Sequence, residues 1–164
     1  MREIPWWVPA AVDRLSSSLL RPDWRVFEWG AGFSTLWLAQ RVAHVVSIEH
    51  DPMWDAELRP RLPANVWFRF IPSDRGVVNF GDYVDAILNE PGAFDLIIVD
   101  GEMRSPCMWL AFPRVKPGGW LLLDNSEREA LDMQPLVAGW HREDYLAAPG
   151  DWYDGCVTTL WRRP

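Results

Sequence analysis

The stretch "VFEWGAGFST", residues 26 to 35, closes one apolar run and opens another, with a carboxylate and two glycines set between them. "RVFEW" (25–29) is short, apolar and followed at once by Gly30, which reads as a buried strand. "STLWLAQRVA" (34–43) then carries Leu36, Trp37, Ala39, Gln40 and Ala43 at helical offsets, with Ser34 or Thr35 placed to cap it. Gly30 and Gly32 are expected to supply positive φ and to let a ligand approach the backbone without meeting a Cβ. The helix behind them would point free N–H groups and a positive dipole end at the same space.

Outward from this unit the same alternation continues. Upstream, "VPAAVDRLSSSLL" (8–20) places Val8, Val12, Leu15 and Leu19 on one helical face, with Pro9 suited to a first turn. Downstream, strands are expected at 44–49, 66–71, 94–100 and 119–125, the last introduced by the turn "KPGG". Helices are expected at 52–60, 83–90, 105–115 (Ser105 as cap, Pro106 in the first turn) and 127–138. Stretches at 141–147 and 156–162 flank a Pro-Gly and Asp-Gly loop and suit an antiparallel pair. "FDLIIVD" (94–100) is apolar almost throughout, as a strand covered on both faces must be. The expectation is an α/β domain with a mostly parallel sheet. One domain over 1–164 suffices, a helical segment at 1–22 preceding a core at 23–164.

The bulk numbers agree. At 164 residues and 19.0 kDa, with 49% hydrophobic and 24% charged residues, the chain can bury a proper core. No run approaches the ~20 apolar residues of a membrane helix, and the N-terminus lacks the apolar core of a secretory signal. Cys107 and Cys156 are too few for a disulfide framework and have no zinc-like spacing, so a cytoplasmic setting is expected. A net charge of −7 and pI near 4.9 argue against nucleic acid as partner and leave a small-molecule acceptor. Twelve tryptophans stand out; most are expected in the core, a few at an acceptor pocket or an oligomer interface.

In such sheets ligands bind beyond the carboxyl ends of the strands, where strand order reverses. Five acids fall at that rim: Glu28, Glu49, Asp74, Asp100 and Asp124. Glu28 beside the glycine turn would repel a pyrophosphate and pair with an ammonium group. Glu49, 19 residues after Gly30, sits where a carboxylate grips the two hydroxyls of a ribose. An amino acid at one end and a ribose at the other describe S-adenosylmethionine. A nicotinamide-dependent oxidoreductase is the alternative, disfavoured by Glu28 and by Thr35 at the third glycine position of G-x-G-x-x-G. A binding module without catalysis is a second alternative, since no inserted cap domain encloses an acceptor.

"FEWGAGFST", "VVSIEHD", "FDLIIVDG" and "VKPGGWLLLDN" resemble, in order, the motifs of class I S-adenosylmethionine-dependent methyltransferases. The resemblance implies a Rossmann-like three-layer αβα fold with seven strands, six parallel and the last antiparallel. It implies contacts to the cofactor from Glu28, Gly30, Gly32, Ser34, Thr35, Glu49, His50 and Asp100, with Asp74 at the adenine. Trp54 could flank the adenine ring or fill a helix face. Asp100, Asp124 and Asn125 are similar to the divalent-metal site of catechol- and caffeoyl-type O-methyltransferases. That similarity implies Mg²⁺ or another hard cation and transfer to a hydroxyl of a small metabolite or sugar. The lysine base of those enzymes has no counterpart in "GEMRSP" (101–106). Arg104 could orient an anionic acceptor but cannot act as a base. His141 is a candidate general base, Cys107 is expected to be buried and inert, and Arg128 to lie on a solvated face. Trp152 and Tyr153 are placed to cover an acceptor.

Overall fold

The computed structural model describes residues 3–72, 81–128, 136–150 and 154–164. Its strands are β1 (Arg25–Trp29), β2 (His44–Glu49), β3 (Val66–Phe70), β4 (Phe94–Val99), β5 (Val115–Leu123), β6 (His141–Leu146) and β7 (Val157–Arg162). They form one seven-stranded sheet in the order β3-β2-β1-β4-β5-β7-β6. Pairing is parallel from β3 through β5, and β7 runs antiparallel to both β5 and β6. Six strands therefore share one direction and β7 alone opposes them, as the sequence motifs implied. Strand order reverses between β1 and β4, which opens a crevice at their carboxyl ends.

Alternation along the strands splits the core between the two faces. Phe27 and Trp29, Val46 and Ile48, Ile97 and Val99 pack with Tyr83, Cys107 and Met108 of α4 (Gly81–Val84) and α5 (Arg104–Ala111). Val26, Val45, Leu96 and Ile98 pack on the other side with Ala11 of α1 (Pro9–Arg14) and Trp37 and Leu38 of α2 (Phe33–Ala39). The result is helix, sheet, helix. A smaller cluster joins Leu36 to Leu58 of α3 (Pro52–Leu58). Trp7, Trp29, Trp37, Trp120 and Trp161 are buried, whereas Trp67 and Trp109 face solvent.

Three local expectations are corrected. α2 ends at Ala39, four residues short of its expected end at 43, where Gln40 closes it. Ser105 does not cap α5: the cap is Met103, in the left-handed region at φ 53, with no side-chain cap bond. "KPGG" is not a free turn but part of β5, where the register against β4 shifts. A Cβ on Gly119 would stand 2.8 Å from the Asp95 carbonyl oxygen, so glycine is what lets β5 close onto β4 there. The expected helix at 127–138 lies mostly outside the described residues, as do Asp74, Trp152 and Tyr153; the described flanks at 127–128 and 136–139 are turns.

Candidate active site

At the carboxyl ends of the parallel strands lies a cavity of about 420 Å³, lined among others by Gly30, Gly32, Glu49, His50, Asp100 and Asp124. Four separate strand ends thus deliver their side chains to one chamber.

The turn after β1 is built around Gly30. Its φ is +89, and a Cβ there would meet the Gly101 nitrogen at 2.6 Å and the Asp100 carbonyl carbon at 2.7 Å. Glycine is required because the β1 turn rests on the backbone beyond β4. Gly32 differs from expectation. Its φ of −171 is ordinary extended backbone, and a Cβ would only touch Ser34 and Trp54 at 3.9 Å. Gly32 itself caps α2, and Thr35 Oγ1 accepts its N–H at 3.1 Å, so neither Ser34 nor Thr35 is the cap.

Glu28 is the main correction. It has no exposed surface and does not line the cavity. Being even-numbered with Val26, it turns toward α2 rather than toward a ligand. Ser34 donates to Oε1, while Thr35 at 2.6 Å and Ser47 at 2.8 Å donate to Oε2. Thr35, fully buried, is spent on this bracket, whereas Ser34 also borders the cavity. Burial pushes the Glu28 carboxyl up to about 7, against the pull of the three hydroxyls. Its work is to tie β1, β2 and α2 together beneath the glycine turn.

Glu49 does reach the cavity. Its Oε1 accepts the backbone N–H of His50 at 2.8 Å and of Asp51 at 2.6 Å. His50 Nδ1 stands 3.1 Å from the same oxygen, and the Glu49 carboxylate raises the imidazole pKa above its ordinary value. Asp51 caps α3 by accepting the Met53 N–H at 2.8 Å. Trp54 lines the cavity wall, edge-on to Phe33 and to Trp6 at 5.3 and 5.4 Å.

The opposite wall holds Asp100, Asp124 and Asn125. Asp100 Oδ2 accepts the Trp7 indole N–H at 2.8 Å, and Asp124 Oδ1 accepts the Thr158 hydroxyl at 2.5 Å. Val8 N–H in turn donates to Thr158 Oγ1 at 3.1 Å, so residues 7 and 8 brace both carboxylates. Burial, reinforced by the neighbouring Asp124, holds the Asp100 carboxyl well above the usual carboxylate range; burial raises Asp124 as well. Arg104 stands between them. It donates to the carbonyls of Gly101 at 2.9 Å and Asp124 at 2.5 Å and to Asn125 Oδ1 at 3.0 Å, and pairs with Asp100 Oδ1 at 3.5 Å. The expected metal set therefore does not fit a metal. Asp100 Oδ1 and Asn125 Oδ1 already face the guanidinium, and Asp124 Oδ1 is taken by the Thr158 hydroxyl. Arg104 likewise points its donors into the protein rather than toward an anionic acceptor.

His141 is elsewhere. It is the first residue of β6 and pairs with Arg162, the last of β7, so it sits at the amino end of the parallel strands. Its Nε2 lies 3.3 Å from Glu143 on the open surface. Cys107 is buried and its thiol pKa is raised by burial, as expected of an inert core residue. Arg128 is on the surface near Glu127, 3.4 Å away. Sequence reasoning missed Trp7, Ser47 and Thr158. The doubled tryptophan between prolines in "IPWWVP" (4–9) was a readable signal for the first; Ser47 and Thr158 carried none, since strand pairing alone brings them in.

Residues 27–126 match a family model described as a methyltransferase domain. The chain belongs to this family. It is an S-adenosylmethionine-dependent methyltransferase, and the nicotinamide alternative is set aside. Solved structures share the methyltransferase's fold. A precorrin 8W decarboxylase from Methanobacterium thermoautotrophicum is 20% identical, with 98% of this chain and 94% of that one covered and a TM-score of 0.67. A protein from Klebsiella pneumoniae provisionally designated an O-methyltransferase is 20% identical over 94% and 78%, with a TM-score of 0.65. The N-methyltransferase NodS from Bradyrhizobium japonicum is 16% identical over 92% and 89%, with a TM-score of 0.62. No curated protein matches the sequence. Among the described residues no helix is long and apolar enough to cross a membrane.

Proposed function

We propose that this methyltransferase acts on a hydroxyl group of a small metabolite or sugar. One observation carries the reading: a single cavity joins the glycine turn and Glu49 on one side to the Asp100–Asp124 pair on the other. Glu49, with Oε1 braced by two backbone N–H groups, suits the ribose hydroxyls, and His50 borders the same end. The Gly30–Gly32 turn and Ser34 would hold the methionine portion, and the cofactor would supply an activated methyl group. A hydroxyl at the carboxylate wall finds hydrogen-bond acceptors and is aligned for in-line attack. S-adenosylmethionine bound in the cavity would supply the methyl group to the hydroxyl oxygen, and the carboxylate pair would take up the hydroxyl proton. The charge of −7 disfavours nucleic acid, and two free cysteines suit a cytosolic setting.

Labelled methyl transfer to paired panels of hydroxylated metabolites and amines tests this. O-methyl products are expected, and transfer confined to amines would overturn the reading.

A further inference from the structure

We infer that Arg104 is the resident cation of the acceptor wall: its guanidinium sits against the Asp100 and Asn125 side chains and the Asp124 carbonyl, where a divalent ion would need free oxygens, and methyl transfer runs without metal. The inference rests on the functional reading above for its chemistry, but its geometry stands alone.

Those three side chains offer five oxygens, and four already have partners. Asp100 Oδ2 holds the Trp7 N–H and Oδ1 the Arg104 ion pair; Asp124 Oδ1 holds the Thr158 hydroxyl and Asn125 Oδ1 an Arg104 N–H. A magnesium ion needs near-ideal octahedral oxygens at about 2.0–2.1 Å. Gathering them here would break these bonds and press two like charges together. The guanidinium also takes the main-chain carbonyls of Gly101 and Asp124, which leaves its planar fork fixed. Only 16% of its side chain is exposed, so it is a built part of the wall rather than a surface arginine.

The backbone shows the same commitment. Met103 (φ 53) and Asn125 (φ 48) are the positive-φ residues other than glycine among those described. One precedes Arg104 in the chain and the other accepts its hydrogen bond. Strained backbone of this kind persists where surrounding contacts over-determine it, and here the contact is the guanidinium that links the ends of β4 and β5.

A consequence for the acceptor follows. A metal-bound site selects two adjacent oxygens that chelate the ion, whereas this wall asks for one hydroxyl. Acceptors need no vicinal diol.

Manganese(II) titration followed by its electron paramagnetic resonance signal tests the inference without any acceptor. The wild-type protein should leave the free-ion spectrum unchanged. A bound signal lost in Asp124→Asn would overturn the inference, whatever the acceptor proves to be. With an active acceptor, turnover should persist in excess EDTA, and Arg104→Ala, which frees the wall it positions, should lower kcat by up to about a hundredfold, the scale for misplacing a reacting group. Arg104→Lys should recover part of kcat at unchanged KM, with both variants checked for folding by circular dichroism and by S-adenosylhomocysteine binding. Loss of turnover in EDTA, restored by Mg²⁺, would overturn it. Failure of every acceptor would count against the functional reading and leave the manganese result to decide this one.

Discussion

Two glutamates of the sheet, one at its centre and one at its edge, show opposite responses to similar numbers of hydrogen bonds. Glu28 in β1 accepts three hydroxyls and its pKa is pushed up to about 7. Glu143 in β6 accepts Arg14 at 2.9 and 3.0 Å and Tyr145 at 2.5 Å, and the Arg14 bond holds it down at about 2. The difference is a cation, together with the deeper burial of Glu28. Hydroxyl dipoles satisfy a buried carboxylate without offsetting its lost hydration, whereas a guanidinium does. The centre therefore spends stability to fix the turn that shapes the cavity, and the edge recovers some of it where no chemistry takes place.

This contrast can be broken from either side. The largest effect is expected at the centre with Gly30→Ala. Positive φ and a 2.6 Å clash with Gly101 should cost about 3–4 kcal/mol in denaturant unfolding. A loss below about 1 kcal/mol would show that the turn is softer than its packing implies.

Next comes pH. The folded pKa of Glu28, about 7, exceeds its ordinary 4.5, so between these values the native state holds more proton than the unfolded chain. Its contribution to stability is most favourable below pH 4.5 and falls by about 3 kcal/mol as pH rises to about 7. Glu28→Gln should flatten that slope and match or exceed wild-type stability at pH 8; an unchanged slope would assign the dependence to other groups.

Glu49→Ala should weaken S-adenosylhomocysteine binding by about 1.5–3 kcal/mol in calorimetry while unfolding normally, the scale for hydrogen bonds to a charged group. Unchanged affinity would remove Glu49 from the ribose role. The smallest effect belongs to the edge. Glu143→Gln should cost about 1 kcal/mol at pH 7, since the pair is partly solvated. Because the Glu143 pKa is depressed, that contribution is present above its ordinary 4.5 and disappears as pH falls through about 2. Wild type and variant should converge in acid; a constant gap would point to packing rather than charge.

Strand order, the helices at the described positions, the parallel sheet with its antiparallel last strand and the approach of Glu49, Asp100 and Asp124 to one rim were all legible in the sequence. The strands, the helices and the rim follow from local periodicity and from the rule that strand ends gather ligands, and the antiparallel last strand from the resemblance of the motifs. What the sequence could not decide is which way a rim acid faces and what else arrives beside it. Glu28 turns inward because β1 alternates and α2 lies over its even-numbered face. Arg104 reaches Asp100 and Asn125 from the first residue of α5, whose cap is the left-handed Met103 rather than Ser105. Trp7 and Thr158 reach the carboxylates from 93 and 34 positions away in the chain. Pairing across such separations is fixed by packing and strand register, which no local pattern encodes, and it decides whether an acid meets a ligand, a hydroxyl or a cation.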